Sequence, residues 1–235
     1  MISDTQPKQK PQLNPKTKVI FFAGTDTDVG KTYIAALAAK SFRESGLRVG
    51  VYKPVASDCR DKDGVRIASD AVALWEAAGR PRTLNEVCPQ RFLAPLAPNE
   101  AARAENTSVD AQAMIDGLKV WTDADFDVCI VEGAGGLMSP LADSILNIDF
   151  AKQIAADAVI LVSANRLGTI HQTLATIAAA KQGSISLSGI VLNQASDEVH
   201  DSCLSNAKQI EGFGDVPILN EVPFGGQLDI SGWQF

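Results

Sequence analysis

The segment that most constrains the chain is GTDTDVGKT, Gly24 to Thr32, which follows five apolar residues, Val19 to Ala23, and leads into an alanine-rich stretch from Lys31 to Ser45. A continuous apolar run this short reads as a buried strand. The stretch after it reads as a helix, with Gly46 just past its end. A glycine-bearing turn between strand and helix aims backbone N–H groups and the positive end of the helix dipole at one point, which suits an anion. In this reading Gly30 lets the amides face a phosphate, Lys31 reaches the terminal phosphates, and the Thr32 hydroxyl serves a magnesium ion. The plain alternative is a strand-to-helix turn capped by a threonine. The common phosphate-loop pattern has a glycine five residues before the last one; here that place is Thr25, and Gly24 lies one residue earlier.

Apolar strands alternate with helices along the rest of the chain. Strands are predicted at Val49 to Tyr52, Val128 to Val131, Val159 to Val162, Ile190 to Leu192 and near Ile218 to Leu219. Helices are predicted from a Ser69 cap to Ala78, from a Ser108 cap to about Trp121, from an Asn147 cap to about Ala156, over Thr169 to Gln182, and near His200 to Glu211. Prolines 81, 89, 95 and 98 break residues 80–105 into loop and short extended pieces. The pattern implies one α/β domain over residues 18–235, a mostly parallel sheet with helices on both faces, behind a loose tail at 1–17. Ligands in such folds gather beyond the carboxyl ends of the strands. The phosphate loop, Lys53, the Glu132 to Gly136 stretch, the turn before Thr169, and Asn193 all fall there.

Composition narrows the function. The 235 residues are 46% hydrophobic and carry 21 Lys and Arg against 28 Asp and Glu, a net charge of -7. No dense basic run offers a nucleic-acid surface, and no apolar run is long enough to span a bilayer. The four cysteines form no CxxC pair and read as reduced thiols of a cytoplasmic protein. The polar, proline-bearing first residues lack the apolar stretch of a secretory signal.

Glu132 ends a strand beside a glycine-rich loop, a good place for a magnesium ligand. Asp70 is either a second ligand or an acid that stabilises a helix start. Lys53 closes a strand before Pro54, as an active-edge cation or a snorkelling surface lysine. His171 lies in the first turn of a helix, ligand-facing or solvated.

GTDTDVGKT, YKPVAS (Tyr52 to Ser57), SDA (Ser69 to Ala71), VEGAGGLMSPL (Val131 to Leu141), LGTI (Leu167 to Ile170) and VLN (Val191 to Asn193) together resemble the dethiobiotin synthetase family, over about Lys18 to Pro223. The loop recurs in many families; KPVAS and VEGAGG in this order are much more selective. The resemblance implies a homodimer that uses MgATP and carbon dioxide to close a cyclic urea on 7,8-diaminononanoate in biotin synthesis. It implies that Asp28, Val29, Gly30, Lys31 and Thr32 hold ATP, with Asn193 at the adenine and Pro223 also at the nucleotide. Thr32, Asp70 and Glu132 would hold magnesium. Thr27, Lys53 and Ser57 would surround the carbamate and the transferred phosphoryl. Gly135 and Gly136 would border the diamine, and the helix start from Gly168 through Thr169 to His171 would take its carboxylate across the dimer interface.

The chemistry is consistent with these roles. The attacking amine must be neutral, yet an alkylammonium has a pKa of about 10.4. A cation about 4 Å away works against that ammonium by roughly 4 kcal/mol at an effective dielectric of 20. Four features depart from the family's pattern. Asp28 replaces a frequent glutamate, Asn99 a frequent histidine and His171 a common asparagine, and the end after Pro223 is short. Two rivals are a cobyrinate-type amide synthetase domain, which needs a second domain to release ammonia, and a nucleotide-gated regulator. An extra early lysine marks one class of such regulators, and Asp26 stands in its place.

Overall fold

The computed structural model describes residues 17–198, 201 and 203–233. Residues 1–16 of the expected tail, and His200, read from sequence as a surface residue, lie outside the described residues. Thr17 is 2% exposed, and its hydroxyl donates to the Phe126 carbonyl at 2.8 Å; the fold therefore takes in this last residue of the expected tail.

The first half runs β1 (Lys18–Gly24), α1 (Lys31–Glu44), β2 (Val49–Tyr52), β3 (Val55–Ala56), β4 (Arg60–Lys62), β5 (Val65–Ile67), α2 (Ser69–Ala77), α3 (Leu84–Val87), β6 (Gln90–Arg91), α4 (Pro98–Ala104) and α5 (Ala111–Thr122). The second half runs β7 (Val128–Gly136), β8 (Pro140–Ala142), β9 (Ile145–Leu146), α6 (Asn147–Gln153), β10 (Ala158–Ala164), α7 (Thr169–Gln182), β11 (Gly189–Asn193), α8 (Cys203–Gly214) and β12 (Ile218–Val222).

Six strands form one sheet in the order β12-β11-β10-β1-β7-β2, each parallel to its neighbours. After Lys18, every residue of β1 is buried, as is every residue of β10 and β11. A strand buried residue after residue is covered on both faces, which is why these segments are apolar runs and not alternating ones. Phe21 and Phe22 are fully buried; truncating either to alanine typically costs about 3–5 kcal/mol. Register then places the site: Gly24, at the end of β1, stands opposite Val162 of β10 and Gly136 of β7.

Several local readings need correction. The α2 cap is Ala68, and Ser69 is already helical. The α5 cap is not Ser108 but Asp110, whose carboxylate accepts from the Ala113 amide at 2.9 Å. Asn147 is likewise the first residue of α6, not its cap, because its side-chain amide is engaged elsewhere. Residues 80–105 hold two short helices: Thr83 and Glu86 make a reciprocal capping box on α3. Pro98, read as a breaker, starts α4, where its missing N–H costs nothing. The predicted loop after Glu132 is in part strand, because β7 continues to Gly136.

Beyond β12 the chain turns back over α1. The Tyr33 hydroxyl donates to Gly226 O at 2.8 Å, and Ser41 to Leu228 O at 3.2 Å. Trp233 packs against Phe22 and Phe42.

Candidate active site

The centre of the site is a largely buried charge cluster beside the carboxyl end of β2 and midway along β7. Lys53 directly follows β2. Its Nζ lies 2.8 Å from Glu132 Oε1 and 3.0 Å from Asp70 Oδ2, and donates to Gly133 O at 3.0 Å. Lys53 is 2% and Glu132 1% exposed. The Thr32 hydroxyl donates to the same Glu132 oxygen at 2.7 Å. Burial works against a charged Lys53, but Glu132 and Asp70 outweigh it and hold the ammonium above the ordinary lysine range. Asp70 is held below the carboxylate range, chiefly by the Lys53 charge. Glu132 Oε2 is buried and has no hydrogen-bond partner, an uncommon state for a buried carboxylate oxygen.

The phosphate loop forms the second wall. Lys31, the first residue of α1, is buried, and its Nζ donates to Asp26 O at 2.9 Å. Burial, then the nearby Lys53 charge, pushes its pKa down. The two loop glycines are sterically required. A Cβ at Gly24 would stand 2.7 Å from Asp26 O and 2.9 Å from Lys31 Nζ. Gly30 has φ 88°, and a Cβ there would meet Asn193 Nδ2 at 2.0 Å. Asn193 lies beneath the loop, donating to Val29 O at 3.1 Å, with its Oδ1 buried and unpartnered.

The third wall is the glycine stretch after Glu132, and Asn147 shapes it. Its amide nitrogen donates to the carbonyls of Ala134, Gly136 and Ser139 at 2.7, 2.9 and 3.0 Å, and its Oδ1 accepts from Ala134 N at 3.1 Å. A Cβ at Gly133 would stand 2.2 Å from that Oδ1. The Ser139 hydroxyl accepts from Gly136 N at 2.9 Å.

One cavity of about 740 Å³ joins the three walls. Of the residues singled out from sequence, Thr27, Asp28, Gly30, Lys31, Thr32, Lys53, Ser57, Asp70, Glu132 and Gly135 line it. Val29, Gly136, Gly168, Thr169, His171, Asn193 and Pro223 do not. Val29 is fully buried, so its side chain belongs to the core. Thr169 is also fully buried, its hydroxyl 2.7 Å from Ser163 Oγ. Gly168 caps α7 with φ 92°, and His171 is exposed. Sequence reasoning missed Asp58, Ser69, Ser139 and the Pro95 to Pro98 wall of the same cavity. Ser139 carried a signal, lying within the selective VEGAGGLMSPL stretch; the proline-bearing wall carried none.

Thr32 bonds Glu132, and Asp70 and Glu132 share Lys53, so the three are neighbours that make an all-oxygen donor set. Two carboxylates and a hydroxyl suit a hard divalent cation that keeps some of its waters, and the unpartnered Glu132 Oε2 is a donor still to be used.

Comparison with known proteins bears on the family and the fold. The profile of a family described as an AAA domain matches residues 18–230. The chain is 43% identical over 223 residues to the ATP-dependent dethiobiotin synthetase of Rhodopirellula baltica, covering 90% of this chain and 87% of that one. It is 37% identical over 202 residues to the protein of the same name from Akkermansia muciniphila, covering 86% and 90%. Among solved structures, the signal recognition particle receptor FtsY of Elizabethkingia anophelis superposes with a TM-score of 0.52 at 18% identity. That match covers 94% of this chain and 64% of that one, and shows a shared fold only.

Proposed function

The chain belongs to the ATP-dependent dethiobiotin synthetase family, and on that premise we propose how its residues carry the reaction. The enzyme is an ATP-using ligase of biotin biosynthesis. We assign its substrates as 7,8-diaminononanoate, carbon dioxide and MgATP. The observation that carries the assignment is the convergence of Lys31, Lys53, Asp70 and Glu132 on one cavity with Gly30 of the loop.

A neutral amine of the diamine attacks carbon dioxide, loses its proton and becomes a carbamate. A carbamate oxygen attacks the γ-phosphorus, and ADP leaves. The second amine attacks the resulting carbamic-phosphoric anhydride, expels phosphate and closes the ring. Lys31 and the amides of Asp28 to Thr32 hold the phosphates, and Lys31 neutralises charge spread over the transferring oxygens. Thr27, Lys53 and Ser57 face the carbamate, while Gly135 borders the diamine. Much of the rate then comes from enforced proximity.

The ion pairs revise one part of this chemistry. Asp70 and Glu132 together outweigh the Lys53 charge, so its field on a neighbouring amine or carbamate falls well below that of an isolated cation. We therefore assign Lys53 to the carbamate as a hydrogen-bond donor and not to deprotonating the amine. Thr32, Asp70 and Glu132 would hold magnesium, which when bound supplies charge neutralisation to the triphosphate. Asn193 and Pro223 are assigned to the base, and the Gly168 to His171 helix start to the diamine carboxylate of a partner subunit in a homodimer.

No helix among the described residues is long and apolar enough to cross a membrane, and the four cysteines are free and buried. Both are consistent with the cytoplasmic location we propose. ADP release should depend on the diamine; ATP hydrolysis indifferent to it would favour the nucleotide-gated regulator.

A further inference from the structure

Thr25 departs from the common phosphate-loop pattern, and the reaction above does not use it. Its hydroxyl lies 3.2 Å from Ser163 Oγ, near the end of β10. Ser163 in turn lies 2.7 Å from Thr169 Oγ1 and 2.9 Å from Thr173 Oγ1, in the first turns of α7. Ser163, Thr169 and Thr173 are all fully buried, and neither they nor Thr25 line the cavity. A hydroxyl has one proton to give and two lone pairs, so three contacts saturate Ser163. The backbone joins the same parts, with Thr25 N donating to Val162 O at 2.9 Å. At the surface, Gln172 Nε2 of α7 reaches Asp26 Oδ2 at 3.4 Å.

We propose that Ser163 is a positioning residue that ties the phosphate loop to the amino terminus of α7, so that nucleotide and diamine bind cooperatively. The proposal rests on the reading above, in which the α7 start receives the diamine carboxylate. A shift of either element breaks a buried hydrogen bond and leaves a hydroxyl unsatisfied, so the two elements have a common preferred position. A ligand that fixes one thereby favours the binding geometry of the other, and the effect is reciprocal. Because the α7 start is assigned to the partner's diamine, the tether links the nucleotide of one subunit to the diamine of the other.

The test measures binding of β,γ-methylene-ATP with magnesium to the full chain by calorimetry, with and without diaminononanoate. In the wild type the diamine should tighten the analogue by about three- to tenfold, the scale of one hydrogen bond. Ser163→Ala should bring that factor close to one, raise the KM values, and leave turnover at saturation within about twofold. Thr25→Val should also abolish the coupling, Thr25→Ser should keep it, and the double variant should lose nothing further. A Ser163→Ala or Thr25→Val enzyme that is less stable but keeps the wild-type coupling factor would show a merely structural role and overturn the proposal, as would a wild type without coupling. Diamine-dependent ADP release by the wild type, measured in parallel, separates the two readings: its absence removes the functional assignment itself, whereas its presence with unaltered coupling in the variants removes only the tether.

Discussion

Glu132 Oε1 accepts two hydrogen bonds at once, from Lys53 Nζ at 2.8 Å and from the Thr32 hydroxyl at 2.7 Å. The middle of β7 is thereby joined to the lysine after β2 and to the first turn of α1. Its partner oxygen is left unbonded. Three segments far apart in sequence meet at one carboxylate, and the consequences can be measured.

Lys53→Ala should abolish product while nucleotide still binds, because Lys31 and the loop amides are untouched. It should also lower stability by about 3–5 kcal/mol without magnesium, the usual cost of leaving a buried charge without its partner. Urea denaturation and nucleotide titration check the two halves. Unchanged turnover would remove Lys53 from the carbamate.

Stability should fall at both extremes of pH. Asp70 is depressed, so its contribution is present above the unfolded carboxylate pKa of about 3.9 and is lost as pH falls through the lower folded value. Lys53 is raised, so its contribution is full below about 10.4 and is lost as pH rises through the higher folded value. Asp70 is 44% exposed, so water screens its share. Asp70→Asn should flatten the acid limb of a urea-midpoint profile; an unchanged limb would contradict the pairing.

Lys31 has the opposite sign from Lys53. Its lowered pKa means that the nucleotide-free lysine loses its proton below the ordinary lysine value. The association rate for ATP should therefore decline on the alkaline side before pH reaches about 10.4. Lys31→Ala should weaken ATP binding and remove that alkaline decline; normal affinity would exclude the loop assignment.

Asn147→Ala should loosen the wall after Glu132. It removes four hydrogen bonds from a residue that is 1% exposed, with an expected loss of about 1–3 kcal/mol for the polar groups left unpaired. The diamine KM should rise several-fold more than the ATP KM. Equal changes in both would mean that Asn147 supports the fold generally.

The sheet was legible because β1, β2, β7, β10 and β11 are apolar runs long enough to bury and bounded by turn residues. The phosphate loop was legible because only glycine fits at Gly24 and Gly30. The caps at Ser69, Ser108 and Asn147 were misread because cap chemistry also suits other tasks. Asn147 has four bonds to make across the chain, and a sequence window does not contain their partners. The Pro95 to Pro98 wall was missed for a related reason: its position comes from backbone bonds to the segment carrying Ser57, including Asp58 N to Ala94 O at 3.1 Å. The residues alone left Asp70 between magnesium and a helix start, and only the resemblance implied magnesium; the structure places it against Lys53, a pairing that local sequence does not encode.

The most direct test is incorporation of labelled bicarbonate in the presence of diaminononanoate and MgATP. We expect label in the cyclic urea product, with one ADP released for each ring closed, and loss of both signals in Lys53→Ala. ATP consumption that proceeds at the same rate without the diamine, with no label in any product, would contradict the account.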